Sequence, residues 1–347
     1  MMEEKNGRLG LLNLVDRPIL MVRQNTVVWQ NLAANALHIP EGIDITRQIV
    51  GGREAYLRYS GGTLCIALDI EDSILDTTVI REAEGDLFLI EPELPDPVTR
   101  AMALAASELR RPLDNAMIAA NGIKSEQIGQ LRRSLNQIQR ILCNMADAGA
   151  PIRKQPEMRS ITAVFGEIFE RTMFYVEKCG YHLVYTPPEA DILCPLLEED
   201  VERAIMNLLS NAMRFSPPES TIRAGVSSND TTVFLQILDS GCGIAGEIRS
   251  TIFTRYLRTP GLEDSRLGMG LGLMIVRNTA AIHGGAVLFD QPGNSGTRVT
   301  MTFSRKAANH VVSRYPQLRV DYAGELDHGL LEFSQILPGE AYEGLWP

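Results

Sequence analysis

Ile128, Leu131, Leu135, Ile138, Leu142 and Met145 alternate spacings of three and four residues, the rhythm of a helix with one continuous apolar seam. The pattern predicts a helix from Ser125 to about Asp147. A similar rhythm through Met102, Ala105, Leu109, Ala116 and Ala119 predicts a preceding helix from Pro97 to about Asn121, with Pro112 inside it. The two join near Gly122, and Gly149-Ala150-Pro151 ends the second. A hairpin of two such helices cannot bury its seam alone. Packing within the chain is one solution; a homodimer that completes a four-helix bundle is the favoured one.

Ahead of this hairpin, short β-rich runs alternate with Gly turns: Pro18 to Val22, Thr26 to Trp29, Gly62 to Leu68 and Asp86 to Ile90. A helical stretch carrying Leu32, Ala33, Ala36 and Leu37 lies between the second run and the third. The order strand, strand, helix, then strands resembles a small PAS-like sensory domain. Trp29, His38 and Cys65 read as ordinary core or surface residues there, so no cofactor is expected. Pro92, Pro95 and Pro97 mark the boundary, and Pro97 suits the first position of a helix, where its missing N–H is harmless.

From about Arg159 to Ser304 the pattern turns α/β. Val201, Ala204, Ile205, Leu208, Leu209 and Ala212 make one apolar helical face, which should cover a sheet, while Asn207, Asn211 and Arg214 fall together on another. Val233 to Leu238 and Thr297 to Phe303 alternate with period two, so Thr297, Val299, Met301 and Phe303 share one side. The last stretch, 305–347, is acidic with apolar Leu330, Leu331, Phe333 and Ile336, and is assigned no role.

Composition narrows the partners. A formal charge of -10 over 347 residues, with Lys and Arg scattered, argues against a nucleic acid. The five cysteines (Cys65, Cys143, Cys179, Cys194 and Cys242) lack paired metal spacing and are odd in number, so they read as reduced thiols rather than a zinc site. The N-terminus lacks the apolar core of a signal peptide, and no stretch approaches the ~20 apolar residues of a membrane span, so a cytoplasmic protein is expected.

Three motifs carry the chemistry. In Asn207-Leu-Leu-Ser-Asn211-Ala, Asn211 can offer an amide oxygen to Mg2+, and Asn207 lies one turn earlier. Arg214 extends the stripe with a guanidinium suited to phosphate. In Asp239-Ser-Gly241-Cys-Gly243-Ile, a carboxylate at the end of an apolar strand can accept from the exocyclic amine of adenine, while the glycines let backbone approach the base. In Gly268-Met-Gly270-Leu-Gly272-Leu, loop N–H groups can cradle phosphates ahead of a helix. Singly these are weak signals; their order and spacing are not.

In that order the motifs resemble the Bergerat-fold ATPases, specifically the catalytic domain of sensor histidine kinases. The resemblance takes in an N box at Asn207 to Phe215, a G1 box at Asp239 to Ile244, an F box at Ile252 to Arg258 and a G2 box at Gly268 to Leu273. His283-Gly-Gly285 and Gly296-Thr297 fit the closing segment. It implies ATP and Mg2+ as cofactors, Arg255 and Arg258 near the phosphates or the bundle, Phe215 beside the nucleotide and a lid between Phe253 and Gly268. His283 is expected to be structural. The implied organisation is an α+β multidomain chain: PAS-like sensor 1–93, dimerisation hairpin 94–150, Bergerat-fold α/β sandwich 151–304, and the tail 305–347.

The same resemblance places Ser107-Glu108-Leu109-Arg110-Arg111-Pro112-Leu113 on the phosphoacceptor frame, with Ser107 where the family has histidine. A serine hydroxyl needs an activating base that an imidazole does not. Glu108 stands where relatives place that base, but neighbouring helix residues diverge by ~100°. Arg111 replaces the Thr or Asn of family phosphatases. The leading expectation is a signalling homologue that binds Mg-ATP with autophosphorylation impaired or absent. The alternatives are phosphotransfer to a partner kinase's histidine or to a serine, and a scaffold that binds a response regulator without turnover.

Overall fold

The computed structural model describes residues 12–13, 15–71, 73–91, 128–147, 156–244, 272–293, 295–306 and 327–343, with eight single positions between 105 and 120 that are helical. Ser107, Glu108 and Arg111, and the F box with Gly268 and Gly270, lie outside the described residues.

The N-terminal strands are β1 (Ile19–Arg23), β2 (Thr26–Gln30), β3 (Ile49–Gly51), β4 (Thr63–Ile70), β5 (Ser73–Glu82) and β6 (Gly85–Ile90), with the short helix α1 (Arg53–Leu57) before β4. The second helix of the predicted hairpin is α2 (Ile128–Asp147). Then follow β7 (Glu157–Ser160), α3 (Ile161–Lys178), β8 (His182–Thr186), β9 (Leu193–Leu196), α4 (Glu198–Phe215), β10 (Thr221–Ser228), β11 (Thr232–Leu238), α5 (Gly272–Ile282), β12 (Val287–Asp290), β13 (Arg298–Ser304) and α6 (His328–Glu332).

Local chemistry sets several of these limits. The Ser160 hydroxyl accepts from Ala163 N at 3.2 Å and caps α3. Glu198, Glu199 and Asp200 place negative charge on the first turn of α4, where it favours the helix dipole. Asp327 caps α6 by accepting from Gly329 N at 2.8 Å and Leu330 N at 3.1 Å.

Among the described residues one 11-stranded sheet runs β2-β1-β6-β5-β4-β12-β13-β11-β10-β8, with β3 paired to β4, and β7-β9 form a second, small sheet. The apolar face predicted for α4 is buried against this sheet in one core with Phe165 and Phe169 of α3. The opposite side of β13 is covered as well: Thr300 and Thr302 are buried, and the Thr302 hydroxyl accepts from Ala286 N at 2.8 Å.

Nothing in the hydrophobic pattern anticipates the joint between β4 and β12. The N-terminal sheet pairs directly with the C-terminal one, Cys65 opposite Val287 and Thr63 opposite Phe289. Each side contributes to the other's core, Cys65 to the C-terminal cluster and Ala286 to the N-terminal cluster. Arg277 of α5, almost wholly buried, pairs with Asp76 of β5 at 3.0 Å. Glu54 of α1 accepts from Asn229 at 3.0 Å and from the Thr231 hydroxyl, which holds its carboxyl below the usual range.

The joint is backbone against backbone at Gly52, where φ is +80° and Gly52 N donates to Gly284 O at 3.3 Å. A Cβ on Gly52 would sit 2.4 Å from Ala286 Cβ. Gly52→Val is therefore expected to lower stability by about 3 kcal/mol, through strain and overpacking together. Urea unfolding checks this; a midpoint equal to wild type would show the joint does not form.

On α2, Leu142 and Leu135 of the predicted seam pack with Ala106, Leu113 and Met117 of the first helical region. Leu131 and Ile138 of the same seam stay exposed, at 42% and 46%. The polar side is buried too: Asn136, Gln139 and Arg140 face inward. The segment 327–343, left without a role by the sequence, lies against this helix, with Tyr342 and Phe333 fully buried.

Candidate nucleotide-binding site

Helix α4 ends where β11 ends, and this meeting point gathers the described part of the site. Asp239 follows β11 directly. Its Oδ1 accepts from Gly241 N and from Thr297 N, both at 2.8 Å, and its own N–H donates to Thr297 O at 3.0 Å. Gly296 N donates to Gly241 O at 2.7 Å, which closes the loop onto the start of β13. Burial outweighs these bonds and raises the Asp239 carboxyl above its ordinary range. Thr297 thus acts in this structure by holding Asp239.

The N-box residues separate. Asn211 is half-buried, and no side-chain hydrogen bond engages it among the described residues. Its amide oxygen is a ligand of the kind Mg2+ accepts. Asn207 is 1% exposed and its amide is fully engaged. Its Nδ2 donates to Arg203 O at 3.0 Å and to Glu332 Oε2 at 3.2 Å, and its Oδ1 accepts from Arg140 at 3.3 Å. Gly272 opens α5 against this group, where a Cβ would stand 2.7 Å from Asn207 Oδ1. Phe215 is half exposed, and Arg214 lies with its guanidinium carbon 6.0 Å from that ring while donating to Gln335 Oε1. Gly243 follows with φ +79°.

Residues 197–307 match the model of the histidine kinase-, DNA gyrase B-, and HSP90-like ATPase family. The chain is 28% identical over 253 residues to the sensor protein KdpD of Clostridium acetobutylicum, covering 68% of this chain and 27% of that protein. It is 27% identical over 183 residues to the sensor histidine kinase YvrG of Bacillus subtilis, covering 53% and 30%. Residues 197–307 thus belong to this ATPase family, and the chain is a homologue of sensor histidine kinases. It spans 30% or less of the length of these two relatives. Among solved structures it is similar to full-length ShkA in complex with AMPPNP, at a TM-score of 0.48 and 22% identity, covering 60% of this chain and 47% of that one.

Within this histidine kinase homologue, Asn211, Arg214, Phe215, Asp239, Gly241, Gly243 and Thr297 cluster about the α4 and β11 ends, and Asn207 and Gly272 meet one turn deeper. Ser107, Glu108, Arg255, Arg258, Gly268 and Gly270 fall outside the described residues. Arg140, Arg203 and Glu332, which surround Asn207, were missed by sequence reasoning. A signal for them exists in the polar stripe Arg203, Asn207, Ser210 and Arg214 at helical spacing. No group of His, Cys, Asp and Glu suited to a metal occurs among the described residues, and no helix among them is long and apolar enough to cross a membrane. Trp29, His38 and Cys65 do not converge: Trp29 packs on Ile19 and Met21, Cys65 joins the C-terminal core, and His38 is exposed.

His283 has the expected structural role. Its Nε2 accepts from Leu197 N at 3.0 Å and its Nδ1 donates to Thr279 O at 2.6 Å, which fixes the tautomer and ties α5 to the start of α4. Burial lowers the imidazole from 6.5 to about 4. Between these values the unfolded chain takes up a proton that the folded chain refuses. Stability present above pH 6.5 is thus lost as pH falls toward 4, by about 3 kcal/mol from this group. His283→Gln should be less stable than wild type at pH 7, with the gap narrowing at pH 4.5; a gap independent of pH in chemical denaturation would contradict the assignment.

Proposed function

We propose that this chain is a cytoplasmic, dimeric sensor histidine kinase homologue that binds Mg-ATP and does not autophosphorylate in the conventional way. The observation that carries the nucleotide reading is Asp239, a carboxylate at a strand end held by two backbone amides. Asp239 would accept from the adenine amine, Asn211 would hold Mg2+, and Arg214 would meet the phosphates beside Phe215. Arg255, Arg258, Gly268, Gly270 and Gly272 would supply the lid side. The metal's chemistry, when bound, is to neutralise phosphate charge.

The observed order of two strands, a helical segment, β3, α1 and then β4 to β6 supports a PAS-like sensor at the N-terminus. The exposed Leu131 and Ile138 support a homodimer, since a partner's bundle helices would cover them. A response regulator or a partner histidine kinase is the expected downstream contact.

Whether phosphoryl transfer occurs turns on Ser107. Intact mass after incubation with Mg-ATP is expected to be unchanged, while Asn211→Ala and Asp239→Asn each weaken ATP binding at least about tenfold. An acid-stable adduct would instead place phosphate on a hydroxyl such as Ser107, and an acid-labile one would restore histidine chemistry. Ser107→His is expected to gain acid-labile label.

A further inference from the structure

Glu332 is an acidic residue whose side chain is fully buried. Such a group persists only where other charges and donors surround it. Here they come from two helices. Arg140 Nε of α2 lies 2.9 Å from Oε2, Arg203 Nε of α4 lies 3.3 Å from Oε1, and Asn207 Nδ2 donates to Oε2 at 3.2 Å. Arg140 Nη2 also reaches Asn207 Oδ1 and Ser210 Oγ, each at 3.3 Å, while its Nη1 is buried with no hydrogen-bond partner among the described residues. Two arginines and an amide make an anion cradle, and the chain's own carboxylate fills it.

The rest of the segment is built to hold that carboxylate there. Leu330, Phe333, Leu337 and Tyr342 join the core of the ATPase domain, and the Tyr342 hydroxyl donates to Leu330 O at 2.8 Å. From α2, Arg132 donates to Tyr342 O at 3.0 Å, Arg133 to Ser334 O at 3.1 Å and Gln335 O at 3.0 Å, and Gln137 to Ser334 O at 2.9 Å. The segment therefore lies between α2 and α4 and ties one to the other. Gln335 Oε1 accepts from Arg214 as well.

We propose that residues 327–343 are an intrachain strap whose docking opposes Mg-ATP binding, because Glu332 and Gln335 engage Asn207 and Arg214. The strap rests on the assignment of Asn207 and Arg214 to the nucleotide. A guanidinium turned toward Gln335 is withdrawn from phosphate, and a buried carboxylate beside Asn207 repels an arriving polyphosphate. The coupling is reciprocal: bound nucleotide loosens the strap and with it the grip of α2 on the ATPase domain.

The test is calorimetric titration of Mg-ATP into the full-length chain and three variants. Gln335→Ala removes the Gln335 acceptor from Arg214 and leaves the residues of the buried ion network in place, and Glu332→Gln removes the carboxylate. Gln130→Cys with Gly339→Cys locks the strap reversibly, since a Cβ on Gly339 would lie 3.4 Å from Gln130 Cγ. Both single-site variants should bind Mg-ATP about fivefold or more tightly than wild type, and oxidation of the double-cysteine variant should weaken binding about tenfold, reversed by reductant. Single-cysteine variants control for the native thiols. Equal affinity in Gln335→Ala and wild type, together with equal affinity in the locked and reduced forms, overturns the strap while leaving the nucleotide site intact. Absence of ATP binding in every form, including the reduced one, overturns the nucleotide reading and the strap with it.

Discussion

Helix α4 is buried on two sides at once, and the rest of the molecule is arranged around that constraint. Its apolar face covers the sheet. Its polar face, through Glu202, Arg203, Asn207 and Ser210, is also removed from water. A helix in that position must find partners for every polar group it takes inside. Arg203 and Asn207 meet Glu332 of the tail, while Glu202 meets Arg171 at 2.5 Å and His328 at 2.9 Å. The chain outside the ATPase domain thus completes the helix that carries the N box.

This arrangement gives the ATPase domain two attachments of different character. At the β12 edge, main-chain pairing to β4, the close approach of Gly52 and the Arg277–Asp76 pair fix the N-terminal sheet in place. Backbone ladders and glycine contacts permit little relative motion. On the α4 side the attachment runs through side chains onto carbonyls of a short segment, the kind of contact that can open without unravelling a sheet. The rigid attachment faces the N-terminal sheet, and the side-chain attachment faces α2.

Much of this was legible in the residues. Period-two alternation located β11 and β13, the apolar positions of α4 gave its sheet-facing side, and motif order pointed to the ATPase domain that residues 197–307 match. Three features were not legible, each for a physical reason. Pairing of β4 with β12 depends on backbone groups, which leave no side-chain signature between strands far apart in sequence. The segment 327–343 is too short to show a helical period, so its Leu330, Phe333 and Tyr342 looked like scattered apolar residues. The roles of Arg140 and Arg203 were hidden because buried charges are uncommon, and a polar stripe is ordinarily taken as a solvated face. The seam of α2 misled in part: it marked the helix, but the side of α2 that meets the ATPase domain is the polar one.

Hydrogen–deuterium exchange of the full-length chain with and without Mg-ATP tests the central claim, that α4 serves nucleotide and tail with the same residues. Amides of 239–243 and of the last turn of α4 should exchange more slowly with nucleotide, while those of 327–343 should exchange faster. Unchanged exchange at 239–243 and α4, or slower exchange in the tail, would contradict it.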